Sequence, residues 1–312
     1  MTETSPLRSP GRLEALMRAG TFVMTAETTP PLSASAADVQ AKAGPLKGLA
    51  DAVNVTDGAG ARAHLSSLAT SAILIGMGIE PVLQFTLRDR NRLALQGDIL
   101  GAAALGVPNI LCIHGDKVDG GDQPDAKMVY DVPGSRELMS LIRDMRDTAK
   151  LPSGRDIATP PAVMVGATEL PSVPGPDWKP DGIASKIAAG ADFFQTQYCF
   201  EPATAKAYAS RLREEGFTEQ AHFIIGCGPL ASFRSAKWMN DNLFGVHIPD
   251  PILKRMEQAK DEKAEGRRIC VEMMQVLAEI PGVAGVHLMA PRQEAACAQC
   301  IEESGLLKKR AA

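Results

Sequence analysis

The sequence predicts a parallel (β/α)8 TIM barrel, and three observations support this fold class. Eight short apolar runs alternate with segments of helical pattern along the 312 residues. The runs are almost continuously apolar, which is typical of parallel strands covered on both faces. The composition, 45% hydrophobic and 22% charged, is that of a globular chain with a sizeable core. A doubly wound open sheet is the alternative, but the sequence has neither G-x-G-x-x-G after the first strand nor G-x-x-x-x-G-K-[ST] anywhere.

The first strand is predicted in the apolar stretch that starts at Phe22, after a short helix over Arg12–Arg18. The strand must end at Pro30 and Pro31, because proline cannot donate a hydrogen bond to a sheet and extends the residue before it. Glu27 therefore lies at the carboxyl end of the strand, where the catalytic groups of a barrel collect. From its position alone, Glu27 could equally be a carboxylate at the rim of the barrel that forms an ion pair with a lysine or arginine.

The other seven strands follow in order, each preceded by a predicted helix. The strands are predicted over Ala52–Asp57, Glu80–Leu87, Asn109–Asp116, Ala162–Ala167, Asp192–Phe200, His222–Gly228 and Gly285–Ala290. The helices are predicted over Ser35–Leu49, His64–Ile75, Asn91–Leu105, Arg136–Ala149, Gly182–Ala189, Pro202–Glu215 and Phe233–Asn242, with a closing helix at the end. We interpret residues 1–312 as one barrel domain, with an N-terminal extension at 1–20 and a helical insertion at 249–282.

Composition and charge argue against several classes of protein. The net charge of −4 is spread over interspersed acidic and basic residues, and only 4% of residues are aromatic, so we expect neither nucleic acid nor a membrane surface as partner. The N-terminus has no apolar signal segment, and the apolar stretch after Ile73 is broken by glycine and proline. Six scattered cysteines, most of them in apolar runs, favour a reduced, cytoplasmic protein. Cys297 and Cys300 form a lone C-x-x-C, from which we predict no metal site.

Polar side chains gather at the predicted carboxyl ends of the strands. They are Glu27, Thr56, Asp57, His114, Asp116, Thr168, Glu169, Gln195 and Gln197. These residues would form a polar opening (the barrel mouth) above an apolar barrel interior, which is suited to binding a polar heterocycle. Glu27 and Asp116 come from distant strands and can take separate roles. One could donate a proton if burial raises its pKa, while the other stays ionised.

Several segments, taken in order, resemble the methylenetetrahydrofolate reductase family. They are Ala26–Pro31, Val55–Ala59, His114–Asp116, Ala189–Asp192 and Thr196–Phe200. The ordered set, rather than any single motif, carries the resemblance, which extends from about Phe22 to the last helix. It implies a flavin-dependent barrel with FAD at the carboxyl face of the strands. The implied activity is the interconversion of 5,10-methylenetetrahydrofolate and 5-methyltetrahydrofolate in one-carbon metabolism.

The same resemblance implies roles for individual residues. Glu27 matches the general acid that acts on the folate, and an elevated pKa is expected for it. Asp116 matches the aspartate that tunes the flavin and contacts the pterin, while Gln197 and Tyr198 fall at folate positions. The positions implied to contact the flavin are Thr56, His114, Gly115, Asp116, Tyr130, Glu169 and Lys186.

The sequence also departs from the family pattern. The usual aromatic pair after the glutamate is Thr28-Thr29, Val82 replaces a histidine, and His114 replaces an arginine. These changes leave the electron donor open between NAD(P)H and a partner electron carrier, and they leave the direction open. A folate- or flavin-binding subunit and a flavin-free barrel lyase or aldolase are the alternatives. Lys186 is predicted on a helix rather than facing the barrel axis, which argues against a Schiff-base aldolase.

Two further expectations concern residues outside this set. Four histidines without metal-ligand spacing are interpreted as structural or surface residues; they are His64, His222, His247 and His287. A homo-oligomer is expected, since barrels commonly associate through their outer helices.

Overall fold

A closed barrel of eight parallel strands forms the centre of the computed structural model, which describes residues 6–123, 125–175 and 177–311. The strands are β1 Val23–Thr28, β2 Ala52–Val55, β3 Pro81–Thr86, β4 Asn109–Ile113, β5 Met164–Glu169, β6 Phe193–Tyr198, β7 His222–Cys227 and β8 Gly285–Leu288. Each strand pairs with the next in sequence order, and β8 closes the barrel against β1. The predicted fold class is confirmed, and the open sheet is excluded.

Helices alternate with the strands around the outside of the barrel. They are α1 Arg12–Arg18, α2 Ala36–Ala43, α3 Ser67–Gly76, α4 Arg92–Ala104, α5 Ser135–Thr148, α6 Asp181–Ala188, α7 Pro202–Glu214, α8 Phe233–Asn242, α9 Asp250–Gln258, α10 Glu262–Leu277, α11 Glu294–Ser304 and α12 Leu306–Ala311. Side-chain capping fixes where several of the helices begin. At the start of α4, the Asn91 side chain accepts hydrogen bonds from the backbone N–H groups of Leu93 and Ala94. Among the described residues, no helix has the length and apolarity that a membrane span needs.

The segment predicted as a helical insertion contains two helices with different roles. The α10 helix packs against β7 and β8, so it covers the barrel wall at the place of a connecting helix. The α8 and α9 helices pack against each other. Beneath them, Tyr198, Leu230 and Met256 belong to a separate apolar cluster. This outer layer supports residues 243–249, the loop between α8 and α9, at the carboxyl side of the barrel.

The N-terminal end of the barrel is closed by α1. Leu13 and Met17 on this helix pack against the lowest inward-facing side chains of the strands, including Phe193. The Glu80 carboxylate holds the helix in place by accepting the backbone N–H of Leu13 at 3.0 Å, and it also accepts from Asn109 Nδ2 at 2.9 Å. A carboxylate at the first turn also suits the positive end of the helix dipole. The apolar base of the barrel is thereby sealed from solvent.

The cysteines are buried, as their positions in apolar runs predicted. All six are free thiols, and the Sγ atoms of Cys227 and Cys270 lie 3.9 Å apart. Burial raises the pKa of the Cys199 thiol to about 11, so this side chain behaves as a small apolar group. Within the described residues, no group of three or more His, Cys, Asp or Glu side chains is arranged to hold a metal ion.

Candidate active site

A cavity of about 490 Å³ opens at the carboxyl ends of the strands. Its size falls within the roughly 300–1,000 Å³ of typical small-molecule sites. The polar part of its wall comes from side chains of five strands and one helix, and an apolar part comes from Leu111, Ile113, Leu170, Phe244 and Met289. The polar side chains are Glu27, Gln84, Thr168, Glu169, Lys186, Gln195, Thr196, Gln197 and His287. Five of the nine polar residues predicted at the barrel mouth line this cavity, namely Glu27, Thr168, Glu169, Gln195 and Gln197.

Glu27 is the buried acid of this cavity. Alternate residues of a strand face the same side, so Val23 at the base and Glu27 at the mouth both point into the barrel. The Glu27 side chain is only 19% exposed, and its Oε2 accepts a hydrogen bond from Gln84 Nε2 at 2.8 Å. Burial raises the pKa of Glu27 to about 7, opposed by the Gln84 hydrogen bond and assisted by the charge of Glu294. The expected elevation is confirmed, and near neutral pH Glu27 can both hold and release a proton.

A hydrogen-bonded polar layer lies directly below Glu27 in the barrel. His287 Nε2 is 4.0 Å from Glu27 Oε2, and His287 Nδ1 is 2.9 Å from Thr25 Oγ1. Gln195 Nε2 donates to Asn54 Oδ1 at 3.0 Å and to Thr25 Oγ1 at 3.2 Å. Burial lowers the pKa of His287 to about 3, so the imidazole is neutral and places no positive charge beside Glu27.

Gln197 and Tyr198, the two predicted folate residues besides Glu27, lie on opposite sides of the barrel wall. Gln197 lines the cavity, where its Nε2 donates to the backbone oxygen of Phe244 at 3.3 Å. The Tyr198 side chain points outward into the cluster beneath α8 and α9, and its hydroxyl donates to the Met289 backbone oxygen at 2.9 Å. Neighbouring strand residues face opposite sides, so the expected folate contact of Tyr198 is corrected here: its ring lies behind the wall.

Two of the predicted flavin positions lie in the same cavity as Glu27. Lys186 extends from the last turn of α6, where its Nζ donates to Glu169 Oε2 at 2.9 Å and to the Thr168 backbone oxygen at 2.7 Å. Both charged side chains are about four-fifths buried. The pair keeps this side of the cavity close to electrically neutral.

The other predicted flavin positions form a second cluster around the loops after β2 and β4. The rings of His114 and Tyr130 stack with their centroids 4.3 Å apart, and the Tyr130 hydroxyl donates to the Gly115 backbone oxygen at 3.4 Å. Asp116 is exposed, and its Oδ2 accepts the backbone N–H of Gly60 at 2.9 Å. Thus Asp116 shares the carboxyl face with Glu27 but does not line the 490 Å³ cavity.

Thr56 is the remaining predicted flavin position. It follows β2, and its backbone N–H donates to the Thr28 oxygen at 3.2 Å. Its hydroxyl is buried and has no hydrogen-bond partner among the described residues. Buried hydroxyl groups in native proteins nearly always have such a partner, so this one is suited to a ligand.

The family model for methylenetetrahydrofolate reductase matches residues 12–305. The chain belongs to this family. A "Probable methylenetetrahydrofolate reductase (NADPH)" of Caenorhabditis elegans is 24% identical over 249 residues, which are 78% of this chain and 35% of that protein. "Methylenetetrahydrofolate reductase 2" of Schizosaccharomyces pombe is 24% identical over 246 residues, 74% of this chain and 37% of the relative. The chain thus spans about a third of the length of these relatives.

A solved structure is similar to this methylenetetrahydrofolate reductase family member over nearly the whole chain. It is an uncharacterized protein from Clostridium thermocellum that binds two copies of 5-methyl-5,6,7,8-tetrahydrofolic acid. The similarity covers 94% of this chain and 99% of that one, with a TM-score of 0.59 and 13% sequence identity. At this identity the likeness shows the barrel fold alone.

Among the cavity residues of this reductase family member that were not assigned to the site from its sequence, two lie beside Glu27. His287 was interpreted as structural, and Gln84 was not considered, yet both side chains reach the Glu27 carboxylate. A signal for His287 was present, since Gly285, His287 and Met289 alternate along the last strand as inward-facing residues do.

Proposed function

We propose that the chain interconverts 5,10-methylenetetrahydrofolate and 5-methyltetrahydrofolate as an FAD-dependent oxidoreductase of one-carbon metabolism that takes part in methionine biosynthesis. The observation that carries this proposal is Glu27, an acid whose pKa of about 7 results from burial in an open cavity at the barrel mouth. Family membership and the curated reductases support the substrate class. The folate bound by the Clostridium thermocellum protein is consistent with it.

The chemistry requires a proton donor of this kind. In 5,10-methylenetetrahydrofolate one carbon bridges N5 and N10, and protonation at N10 opens that ring to a reactive N5 iminium. Protonated Glu27 would supply the proton, with Gln84 holding the carboxyl group in position through Oε2. Gln197, whose amide has both a donor and an acceptor, would hold the polar edge of the folate. Our assignment makes Glu27 catalytic and Gln197 substrate-binding.

The second cluster fits a flavin. Thr56 offers a buried hydroxyl without a protein partner, and the stacked His114 and Tyr130 rings offer a planar surface. We propose that these residues hold FAD together with Gly115, Asp116 and Glu169, and that Lys186 lies toward its phosphates. When bound, FAD supplies the hydride chemistry that links the folate carbon to an electron donor. That donor is NAD(P)H or a partner electron carrier; the relative named as an NADPH enzyme favours the former.

One observation favours a second candidate function. Asp116, the proposed flavin-tuning residue, accepts a hydrogen bond from Gly60 and lies outside the Glu27 cavity. The chain could therefore serve as a folate-binding subunit that depends on a partner electron donor. In either case we place the protein in the cytoplasm, where its six free thiols remain reduced, and expect it to form a homo-oligomer.

The visible spectrum of the purified protein tests the proposal. Flavin absorbance, or its appearance after reconstitution with FAD, is expected. The protein is then mixed anaerobically with NADH, NADPH and 5-methyltetrahydrofolate in turn. Each compound that reduces the flavin should bleach its absorbance. A colourless protein that cannot be reconstituted yet binds 5-methyltetrahydrofolate would support the folate-binding subunit, and loss of both properties would contradict both candidates.

A further inference from the structure

Glu294 is a buried carboxylate that lies outside the barrel wall, behind the candidate active site. It belongs to the first turn of α11, which packs against β1, and its side chain is 6% exposed. Its Oε1 accepts a hydrogen bond from the Thr28 hydroxyl at 2.8 Å. Thr28 directly follows Glu27 in β1, so the side chains of these two residues point to opposite sides of the wall. The Glu294 carboxylate therefore contacts the strand at the position next to the acid.

Lys42 binds the same end of the strand from a second helix. It belongs to the last turn of α2, and its Nζ donates to the backbone oxygen of Thr29 at 2.6 Å. The same Nζ lies 3.7 Å from Glu294 Oε1, and the lysine side chain is 23% exposed, so solvent screens this ion pair only in part. Two charged side chains from two helices thus hold Thr28 and Thr29, which directly precede the double proline.

The two threonines are also a departure of this chain from the family pattern, which has an aromatic pair after the glutamate. A phenylalanine side chain has no hydroxyl to donate to a carboxylate, and burial of Glu294 without a hydrogen-bond donor would be costly. The threonine at position 28 and the buried acid on α11 therefore depend on each other.

Glu294 is also the charged group that acts on Glu27 among the residues described by the structure. The other titratable groups near Glu27 are His287, Tyr198, Cys297, Glu169 and Lys186. Burial lowers the pKa of the imidazole and raises the pKa values of the phenol and the thiol, so these three groups are uncharged at neutral pH. The last two side chains form an ion pair with each other.

We propose that Glu294 and Lys42 are positioning residues that act on Glu27 through the barrel wall. The pair fixes the end of β1 that carries the acid, and the Glu294 carboxylate places a negative charge behind it that favours the protonated form of Glu27. Lys42 partly offsets this charge, so the two residues together set the pH range in which Glu27 holds its proton. This inference rests on the proposed function, in which that proton is transferred to the folate.

The titration of Glu27 tests the inference without cofactor or substrate. NMR of the carboxyl carbons in protein with isotope-labelled glutamate follows this titration, and the Glu27 signal is assigned by its absence in Glu27→Gln. Glu294→Gln removes the negative charge but keeps an acceptor oxygen, and Lys42→Met removes the cation. Glu302→Gln on α11 and Lys47→Met, both at exposed positions, are the matched controls.

We expect the midpoint of the Glu27 titration to fall by about one pH unit in Glu294→Gln, because a negative charge no longer repels the ionised form. In Lys42→Met the midpoint should move to higher pH, because the cation that offsets the Glu294 charge is gone. The alkaline decline of kcat/KM for folate reduction should move in the same two directions. Both controls should keep the wild-type midpoint, and a merely structural role of the pair would not give opposite shifts.

An unchanged midpoint in Glu294→Gln, or shifts in the same direction in Glu294→Gln and Lys42→Met, would overturn the inference. Thermal unfolding shows whether each variant is folded, and either variant tests the inference alone if the other does not fold. A wild-type protein without folate turnover would contradict the proposed function, whereas the carboxyl titration would still decide whether the pair acts on Glu27.

Discussion

Glu27 shows how neighbouring groups determine the chemistry of one residue. Burial favours the neutral carboxyl, whereas the Gln84 amide stabilises the carboxylate by donating to it, and the negative charge of Glu294 acts with burial. The neutral His287 below contributes no positive charge to offset them. The result is a pKa of about 7, well above the ordinary 4.5 of a glutamate. Such a group is suited to proton transfer at neutral pH.

Glu27→Gln should therefore abolish most turnover without displacing ligands. We expect a loss of about 10²–10⁴ in kcat for folate reduction, because glutamine keeps the shape but has no proton to donate at N10. Steady-state kinetics and 5-methyltetrahydrofolate titration measure the two effects separately. Glu302→Gln, at an exposed position on α11, is the control. Undiminished turnover in Glu27→Gln would remove this residue from the mechanism.

Gln84→Leu tests the hydrogen bond that positions the acid. Without the donated N–H the carboxylate is less stable, so the pKa of Glu27 rises. In the proposed reaction Glu27 acts in its protonated form, so the decline of kcat/KM on the alkaline side should move to higher pH in this variant. The pH profile is the measurement, with Gln96→Leu on α4 as the same substitution away from Glu27. A profile that keeps the wild-type midpoint would contradict the role of Gln84.

Single residues also show where sequence reasoning succeeds and where it stops. The double proline placed Glu27 at a strand end from local backbone chemistry alone, and the structure confirms that position. The approach of Gln84 and His287 to Glu27 depends instead on how the strands are arranged in the closed barrel. The local sequence around each residue does not specify that arrangement. The outward direction of Tyr198 depends on strand alternation near a register shift in β6.

At the level of elements, the apolar runs located every strand, but the predicted ends were often too long. The second and fourth strands were predicted to reach Asp57 and Asp116, whereas the observed strands end at Val55 and Ile113. The carboxylates of both aspartates bind groups outside their own strands. Asp57 forms an ion pair with Arg90 at 2.6 Å, and Asp116 accepts from Gly60. Such tertiary partners end a strand earlier than its hydrophobicity indicates.

The α1 helix was predicted with its observed bounds, but its function as the base of the barrel was not. Its first-turn N–H groups bind Glu80, which lies far along the chain. Leu13 and Met17 then fill the end of the barrel opposite to the candidate active site. The sequence contained the helical pattern, while the docking site exists only after the barrel has closed.

Leu13→Ala should consequently destabilise the protein while preserving its chemistry. Leu13 is fully buried in the basal layer, so the truncation should cost about 2–5 kcal/mol of unfolding free energy. Urea unfolding measures the loss, and kcat per folded molecule should stay at the wild-type value because the cavity lies at the other end. Leu93→Ala, at an exposed position, should change stability by less than about 0.5 kcal/mol. A stable Leu13→Ala protein would show that α1 does not seal the barrel.

For the whole molecule, the fold follows from the order of apolar runs, whereas the dependence of stability on pH near neutrality is set partly by two residues of the candidate active site. Burying Glu27 makes the folded state hold its proton more tightly than the unfolded chain, in which the pKa is close to 4.5. As pH rises from about 4.5 to 7, this group therefore lowers the free energy of unfolding. His287 acts in the opposite sense: its pKa falls from 6.5 to about 3 on folding, so stability is lost as pH falls below 6.5.

The two groups lead to a prediction for stability that is independent of any cofactor. Between pH 4.5 and 6.5 their slopes oppose each other in the wild type, whereas Glu27→Gln retains only the slope of His287. Relative to the wild type, Glu27→Gln should gain about 2–3 kcal/mol of unfolding free energy on going from pH 5 to pH 8. Urea unfolding at both pH values measures this gain, and Glu302→Gln should show none. A stability difference that does not depend on pH would mean that Glu27 titrates as an ordinary exposed glutamate, and an acid of that kind would be fully ionised under the conditions in which the proposed reaction needs its proton.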